Sequence, residues 1–300
     1  MSSNLYAPGC PGINPKWTSS AKLGVGTAMS GDSNVWFTLS HGILNEIYYP
    51  RVDIANVRDM QFIVTDGKDF FSEEKRDTTH EIAILPGGVP AFQITNTCLE
   101  GRYQIEKTII SDPHRNVVLQ EVQFIPYIGS LQDFHIYAIL APHLHNAGYD
   151  NTGWWDFYKG YPMLFAERKG ISLAFASSVP FSLMNCGFVG VNDSWLDLKK
   201  NKKMTQFYQK AANGNIALAG EIDLKACGGR MVIAISFAQM PEEAGLQARA
   251  ALFRDFDLAL EEYVSGWQVV QSEFEDLSKI DKEAGNLFRI STAVLKTHEV

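Results

Sequence analysis

Between residues 41 and 53 the chain reads HGILNEIYYPRVD, with a histidine, a glutamate, two tyrosines, an arginine and an aspartate in thirteen positions. These are side chains suited to acid–base work on a polar substrate. A carboxylate or imidazole moves a proton, a guanidinium makes forked hydrogen bonds, and tyrosines offer flat faces with polar tips. Glu46, set among Leu44, Ile47 and Tyr48, is the acid best placed for a perturbed carboxyl, although a buried glutamate paired with Arg51 or Arg58 fits the same pattern. Cleavage of a glycosidic bond needs two carboxyls roughly 5–9.5 Å apart. Asp53, Asp59, Glu73 and Glu74 complete the candidates. The last two lie in FSEEKRD, residues 71 to 77, which reads as a charged hairpin or loop with both glutamates in water.

Other constellations carry less. GVGTAM has glycines at the spacing of a dinucleotide loop, but Met29 stands where the third glycine belongs and no strand-then-helix context surrounds it. No G-x-S-x-G elbow, P-loop or H-E-x-x-H occurs. His143 and His145 follow a strand without an obvious third ligand, and Cys10, Cys98, Cys186 and Cys227 stand far apart with no C-x-x-C. The expectation is reduced thiols, no metal and no cofactor. More suggestive is HNAGYDNTGWWDFYKGYP, residues 145 to 162, where Trp154, Trp155 and Tyr158 sit among Gly, Asn and Asp. Read as a loop, it either covers a neighbouring domain or stacks on sugar rings.

These residues need elements to hold them. From about residue 60 to 238 the chain reads as short strands with turn punctuation: MQFIVTDG, EIAILP, AFQITNT, YQIEKTII, NVVLQEVQFIP, FHIYAILAP, LFAER, ISLAFAS, MTQFYQ, NIALAGEIDL and MVIAISFA. Asp66 and Gly67 signal a hairpin turn. Tyr103, Ile105 and Lys107 alternate with Gln104, Glu106 and Thr108, the pattern of a sheet with one buried face. With no helix-length crossover between strands, antiparallel sheets packed as a sandwich follow. LKKNKK, residues 198 to 203, reads as a solvated loop.

After Gln239 the period changes. Pro241 followed by Glu242 and Glu243 marks a helix start, and Phe256, Leu260, Tyr263, Val264, Trp267, Val270, Phe274 and Leu277 form one apolar stripe of a long helix. A third helical stretch, LFRISTAVLKTHEV, runs to the last residue. Helices that do not close into their own bundle leave stripes needing a partner, so self-association through these helices is expected. The formal charge of −8 argues against a nucleic-acid partner, and no run of eighteen apolar residues suggests a membrane span. The start lacks a basic segment followed by an apolar one, which makes a soluble, cytoplasmic chain the expectation.

Taken together, APGCPGINPKWTSSAKLGVGTAMS, VWFTLSHGILNEIYYPRVDIANVRDMQFIVTDG, FFSEEKRDT and RISTAVLKTHE resemble the amino-terminal region of prokaryotic glucoamylases and glucodextranases, glycoside hydrolase family 15, from about Ala7 to Glu299. The resemblance implies a β-supersandwich of the galactose-mutarotase-like kind over residues 1–239, helical linkers over 240–282, and at 283–300 the first helix of an (α/α)6 barrel. In that family two barrel glutamates act as general acid and general base in an inverting attack of water on terminal α-glucosidic bonds. Neither glutamate maps onto a position here, so these residues by themselves are expected to be inactive, with an α-glucan or maltooligosaccharide and the catalytic barrel as partners. Tyr48, Tyr49, Arg51, Asp53, Trp154, Trp155 and Tyr158 are the candidates for facing the barrel or its cleft. The alternatives are a free carbohydrate-binding module built on Trp154, Trp155 and Tyr158, or a mutarotase-like isomerase, which requires histidines to converge with a carboxylate.

Overall fold

The computed structural model describes residues 5–18, 21–275, 277 and 282–299. In chain order the strands are β1 (Gly24–Gly26), β2 (Trp36–Ser40), β3 (Ile43–Tyr48), β4 (Val57–Thr65), β5 (Phe71–Glu73), β6 (Thr78–Leu85), β7 (Val89–Cys98), β8 (Tyr103–Ser111) and β9 (Val117–Pro126). They continue as β10 (His135–Pro142), β11 (Asn151–Tyr158), β12 (Tyr161–Arg168), β13 (Ile171–Ser177), β14 (Leu183–Phe188), β15 (Lys210–Gly214), β16 (Ile216–Ile222) and β17 (Arg230–Ala238). Helix α1 (Ser194–Asn201) interrupts the strands, and α2 (Pro241–Leu252), α3 (Phe256–Ser272) and α4 (Lys282–Thr297) follow them.

Two antiparallel sheets stack face to face. The first is eight-stranded, ordered β1-β2-β3-β4-β10-β16-β14 with β5 also paired to β4, and the second is nine-stranded, ordered β15-β11-β12-β13-β17-β9-β8-β7-β6. The expected β-sandwich with C-terminal helices is therefore the observed fold. Its core interleaves Phe37, Leu44, Phe62 and Val64 of the first sheet with Ile105, Val122, Phe175 and Phe237 of the second. The hairpin signal at Asp66 and Gly67 is also real. Gly67 takes φ +71°, and the Asp66 carboxylate accepts the backbone N–H groups of Lys68, Asp69 and Phe70.

Several local readings give way to tertiary structure. Residues 145–162 are mostly strand, not loop: β11 pairs with β12 from Thr152↔Glu167 to Tyr158↔Tyr161, because aromatic side chains suit a pleated surface once neighbouring strands cover it. MTQFYQ is not a strand. It runs as an extended connection whose polar groups are taken by Asn185 and Cys186 of β14 and Trp155 of β11. LKKNKK is the end of α1, whose N-terminus Asp193 caps by accepting the Leu196 N–H and whose C-cap is Lys202 in the left-handed region.

The helices also correct the expected unpartnered stripe. Helices α2 and α3 lie on the outer face of the second sheet. There Ala244, Ala248, Ala251, Phe256, Tyr263 and Trp267 bury against Phe165, Ala174, Ala176 and Ala234. Small residues on both sides let the backbones approach, and Trp267 Nε1 donates to the Thr27 carbonyl at 2.8 Å while Tyr263 Oη donates to that of Pro90 at 2.9 Å. Helix α4 is covered less completely, with Leu287, Val294 and Leu295 exposed. Among the described residues no helix is long and apolar enough to cross a membrane.

Candidate functional site

The stretch 41–53 folds as the end of the β2–β3 hairpin, strand β3 and the corner after it. Leu44 packs in the core, and because the pairing of β2 with β3 is bulged between Phe37 and Leu39 the inward side switches parity, so that Ile47 and Tyr49 also turn into the core, where the Tyr49 ring stacks on Phe237 at 5.7 Å. Tyr49 is therefore a packing residue. Tyr48 points the other way. Its hydroxyl donates to Glu46 Oε2 at 3.3 Å, Glu46 is ion-paired with Lys22, and burial raises the tyrosine's pKa and lowers the lysine's. The partner of Glu46 is thus Lys22, not Arg51 or Arg58. Arg51 makes a forked pair with Asp53, at 3.0 and 2.6 Å, on a rim where both side chains are mostly in water.

Below that rim lies an apolar groove of about 530 Å³. Lys22, Trp36, Tyr48 and Val52 form one wall, and Ala293, Val294 and Thr297 of α4 form the other. Trp36 Nε1 donates to the Thr297 carbonyl at 3.0 Å and fixes the helix against the sheet. This corner is where the body of the sandwich receives α4.

A second cluster holds the other end of the same stretch. Gly42, at φ +70°, turns its carbonyl inward, where Lys107 Nζ at 2.6 Å and Asn96 Nδ2 at 2.8 Å donate to it. Both groups also donate to Glu74 Oε1, at 2.5 and 2.7 Å, and Glu74 Oε2 accepts the Phe62 N–H at 2.9 Å. The expectation of solvated glutamates in FSEEKRD is overturned, since Glu73 and Glu74 are 4% and 0% exposed. A charged segment can enter a core only if partners wait there, and Lys107, 3% exposed on the inward face of β8, is that partner. Burial lowers the Lys107 pKa and the Glu74 charge opposes that shift. With every polar atom of this pair engaged internally, the cluster is a clamp, not a catalytic dyad.

The aromatic candidates face different ways. Trp154 stacks on Phe165 at 5.5 Å, Trp155 packs against the core and donates from Nε1 to the Tyr208 carbonyl at 3.1 Å, and Tyr158 lies under α2, where a Cβ on Gly245 would come within 3.1 Å of its ring. No histidine pair meets at a carboxylate among the described residues. His135 holds Glu221 at 2.7 Å, His114 holds Glu262 at 2.8 Å on α3, and His143 is buried with neither ring nitrogen paired. Among those residues there is likewise no group of three or more histidine, cysteine or acidic side chains arranged to hold a metal ion. Sequence reading named Glu74 but placed it in water, and it missed Lys107 and Asn96 as its partners and the wall that α4 forms. The one available signal was Lys107 itself, an ionisable residue at an inward position of an alternating strand.

Comparison with known proteins gives the same architecture. The family model described as glucodextranase, domain N, matches residues 7–271. A glucoamylase of Clostridium sp. (strain G0005) is 34% identical over 297 residues, which is 99% of this chain and 42% of that protein. The crystal structure of a bacterial glucoamylase complexed with acarbose superposes with a TM-score of 0.94 at 34% identity, covering 98% of this chain and 43% of that one. A GH92-family glycosyl hydrolase, at 9% identity over 94% of this chain and 39% of its own with a TM-score of 0.55, shares the fold alone. The chain thus spans less than half the length of the relatives it matches.

Proposed function

The chain belongs to the family of glucodextranase domain N, and from that premise we propose that it is the amino-terminal domain of a glucoamylase-type enzyme. Its work is to support and rim an (α/α)6 catalytic barrel that hydrolyses terminal α-glucosidic bonds of α-glucans with inversion. The observation that carries this reading is the seating of α4 on the sandwich. The Trp36–Thr297 hydrogen bond and the Tyr48–Val52 corner deliver that helix, with Leu287, Val294 and Leu295 still bare, to the place where a barrel would begin. In this reading the rim that would face the barrel carries the Arg51–Asp53 pair, and the exposure of both side chains supports it. Those bare side chains also support association between copies of the chain when nothing else covers them.

The test is an assay of the purified chain on maltooligosaccharides and dextran. No glucose release is expected, since removing a general acid–base function alone costs roughly 10²–10⁴-fold. Glucose production that persists in a repurified Glu46→Gln variant would place a complete active site inside these residues and overturn the supporting role.

A further inference from the structure

A groove of about 550 Å³ crosses the outer face of the first sheet, away from α2, α3 and α4. Its floor is made by Asp59 and Gln61 of β4 with Ile139 of β10 and Ala217 of β16, and its two ends are tryptophans: Trp17 from the segment before β1, and Trp195 from the first turn of α1. That volume lies in the ordinary range of small-ligand sites.

The electrostatics of the floor restrict what fits. Each nearby carboxylate is already neutralised or taken by the protein. Arg58 donates to Asp59 at 3.0 Å, Arg76 to Glu73 at 2.7 Å, and Gln61 Nε2 to the other oxygen of Glu73 at 2.9 Å. Asp193 accepts the N–H groups of Gly190 and Leu196. No unspent carboxylate is left to hold a cation, and Lys16 and Lys75, which also line the groove in no ion pair among the described residues, add two ammonium groups as hydrogen-bond donors. The planar, polarised groups nevertheless retain lone pairs and N–H bonds for a ligand rich in hydroxyls. At the edge of the groove Thr18 keeps its hydroxyl oxygen out of solvent and unpaired in the protein. Under Trp17 the His143 ring packs edge-on at 4.7 Å, which fixes the orientation of an indole that is itself 42% exposed. Trp195 is braced in the same manner, edge-on to Phe71 at 6.0 Å. Two braced indoles flanking a polar floor whose carboxylates are all taken within the protein match the apolar ring faces and hydroxyl edges of a saccharide.

We propose that this groove between Trp17 and Trp195 is a binding site for a neutral oligosaccharide, an α-glucan segment held outside any catalytic cleft. The saccharide class follows from the groove. The choice of α-glucan among saccharides rests on the function proposed above. Neither Trp154 nor Trp155, on the other sheet, takes part.

The experiment is calorimetric titration of the 300-residue chain with maltoheptaose and, separately, with cellohexaose, using the unsubstituted chain and the Trp17→Ala and Trp154→Ala variants. Circular dichroism and melting temperature report the fold of each. Saturable binding of maltoheptaose is expected, weakened at least about tenfold by Trp17→Ala and unchanged by Trp154→Ala. If Trp17→Ala fails to fold, Arg76→Ala, at a side chain 65% exposed, gives the second reading of the same groove, with weakened binding again expected. No saturable binding by the folded chain at millimolar saccharide, or affinity indifferent to both Trp17→Ala and Arg76→Ala, overturns the groove as a site. Binding of cellohexaose but not maltoheptaose, still lost in Trp17→Ala, keeps the saccharide groove and overturns the α-glucan assignment together with the function on which it rests.

Discussion

Lys107 and Glu74 meet at 2.5 Å with side chains 1% and 0% exposed, joining a strand of the second sheet to the turn that follows β5 in the first. The contact fastens the two layers of the sandwich at the point where the Gly42 carbonyl also docks. Removing one partner of such a buried pair strands the other charge and costs roughly 3–5 kcal/mol. Lys107→Met should therefore lower the urea midpoint sharply, and adding Glu74→Gln should recover much of the loss. Gly42→Ala should destabilise without touching either charge, since its Cβ would stand 2.1 Å from Asn96 Oδ1 at a φ of +70°. Midpoints that do not move in either single variant would mean the clamp is unimportant to stability.

Tyr49 and Arg51, two residues apart, should respond in opposite ways. Tyr49→Ala removes a ring 8% exposed in the main core and should cost roughly 3–5 kcal/mol by denaturant titration. Arg51→Ala breaks an ion pair whose side chains are 70% and 58% exposed, so the melting temperature of the chain should hardly change. In an enzyme that carries the barrel, the same Arg51→Ala change should lower glucan hydrolysis. A melting point that falls by several degrees while specific activity holds would make Arg51 structural and remove it from the rim.

His143 gives the chain an acid-sensitive element. Burial, with Arg58 adding to it, pushes its pKa down from 6.5 to about 3. The folded-state value is the depressed one, so across that interval the unfolded chain holds a proton that the folded chain does not. The stability contribution is complete above about pH 6.5 and is lost as pH falls toward 3, at about 1.4 kcal/mol per pH unit. Urea midpoints measured at pH 7, 5 and 4 should fall less steeply in His143→Gln than in the unsubstituted chain. Parallel pH profiles would show that His143 does not titrate as its burial demands.

Helix α4 should govern association. With Leu287, Val294 and Leu295 at 58%, 41% and 68% exposure, the isolated chain should show a concentration-dependent mass by light scattering. Leu295→Lys should reduce it by placing a charge in the apolar patch. A strict monomer that binds no apolar dye would remove this surface from consideration as an interface.

The residues themselves were enough to specify some of this. Alternation in YQIEKTII placed Tyr103, Ile105 and Lys107 on one face, and they are buried together. Pro241 and the carboxylates after it announced α2, and long ordered strings announced the family. The apolar runs of two strands carry a further signal. ISLAFAS and MVIAISFA are nearly continuous apolar runs, and a strand apolar on both faces must be covered on both, as β13 and β17 are by the core and α2. Periodicity is a local property, carried by residues a few positions apart, and it reports how an element is sided. It cannot report what lies on that side. Whether Glu74 met water or Lys107, whether the 145–162 aromatics formed a loop or a strand, and whether Trp17 would come to stand across a groove from Trp195 depended on residues distant in sequence. Only the folded layers bring those partners together, because burial and pairing energies belong to neighbours in space.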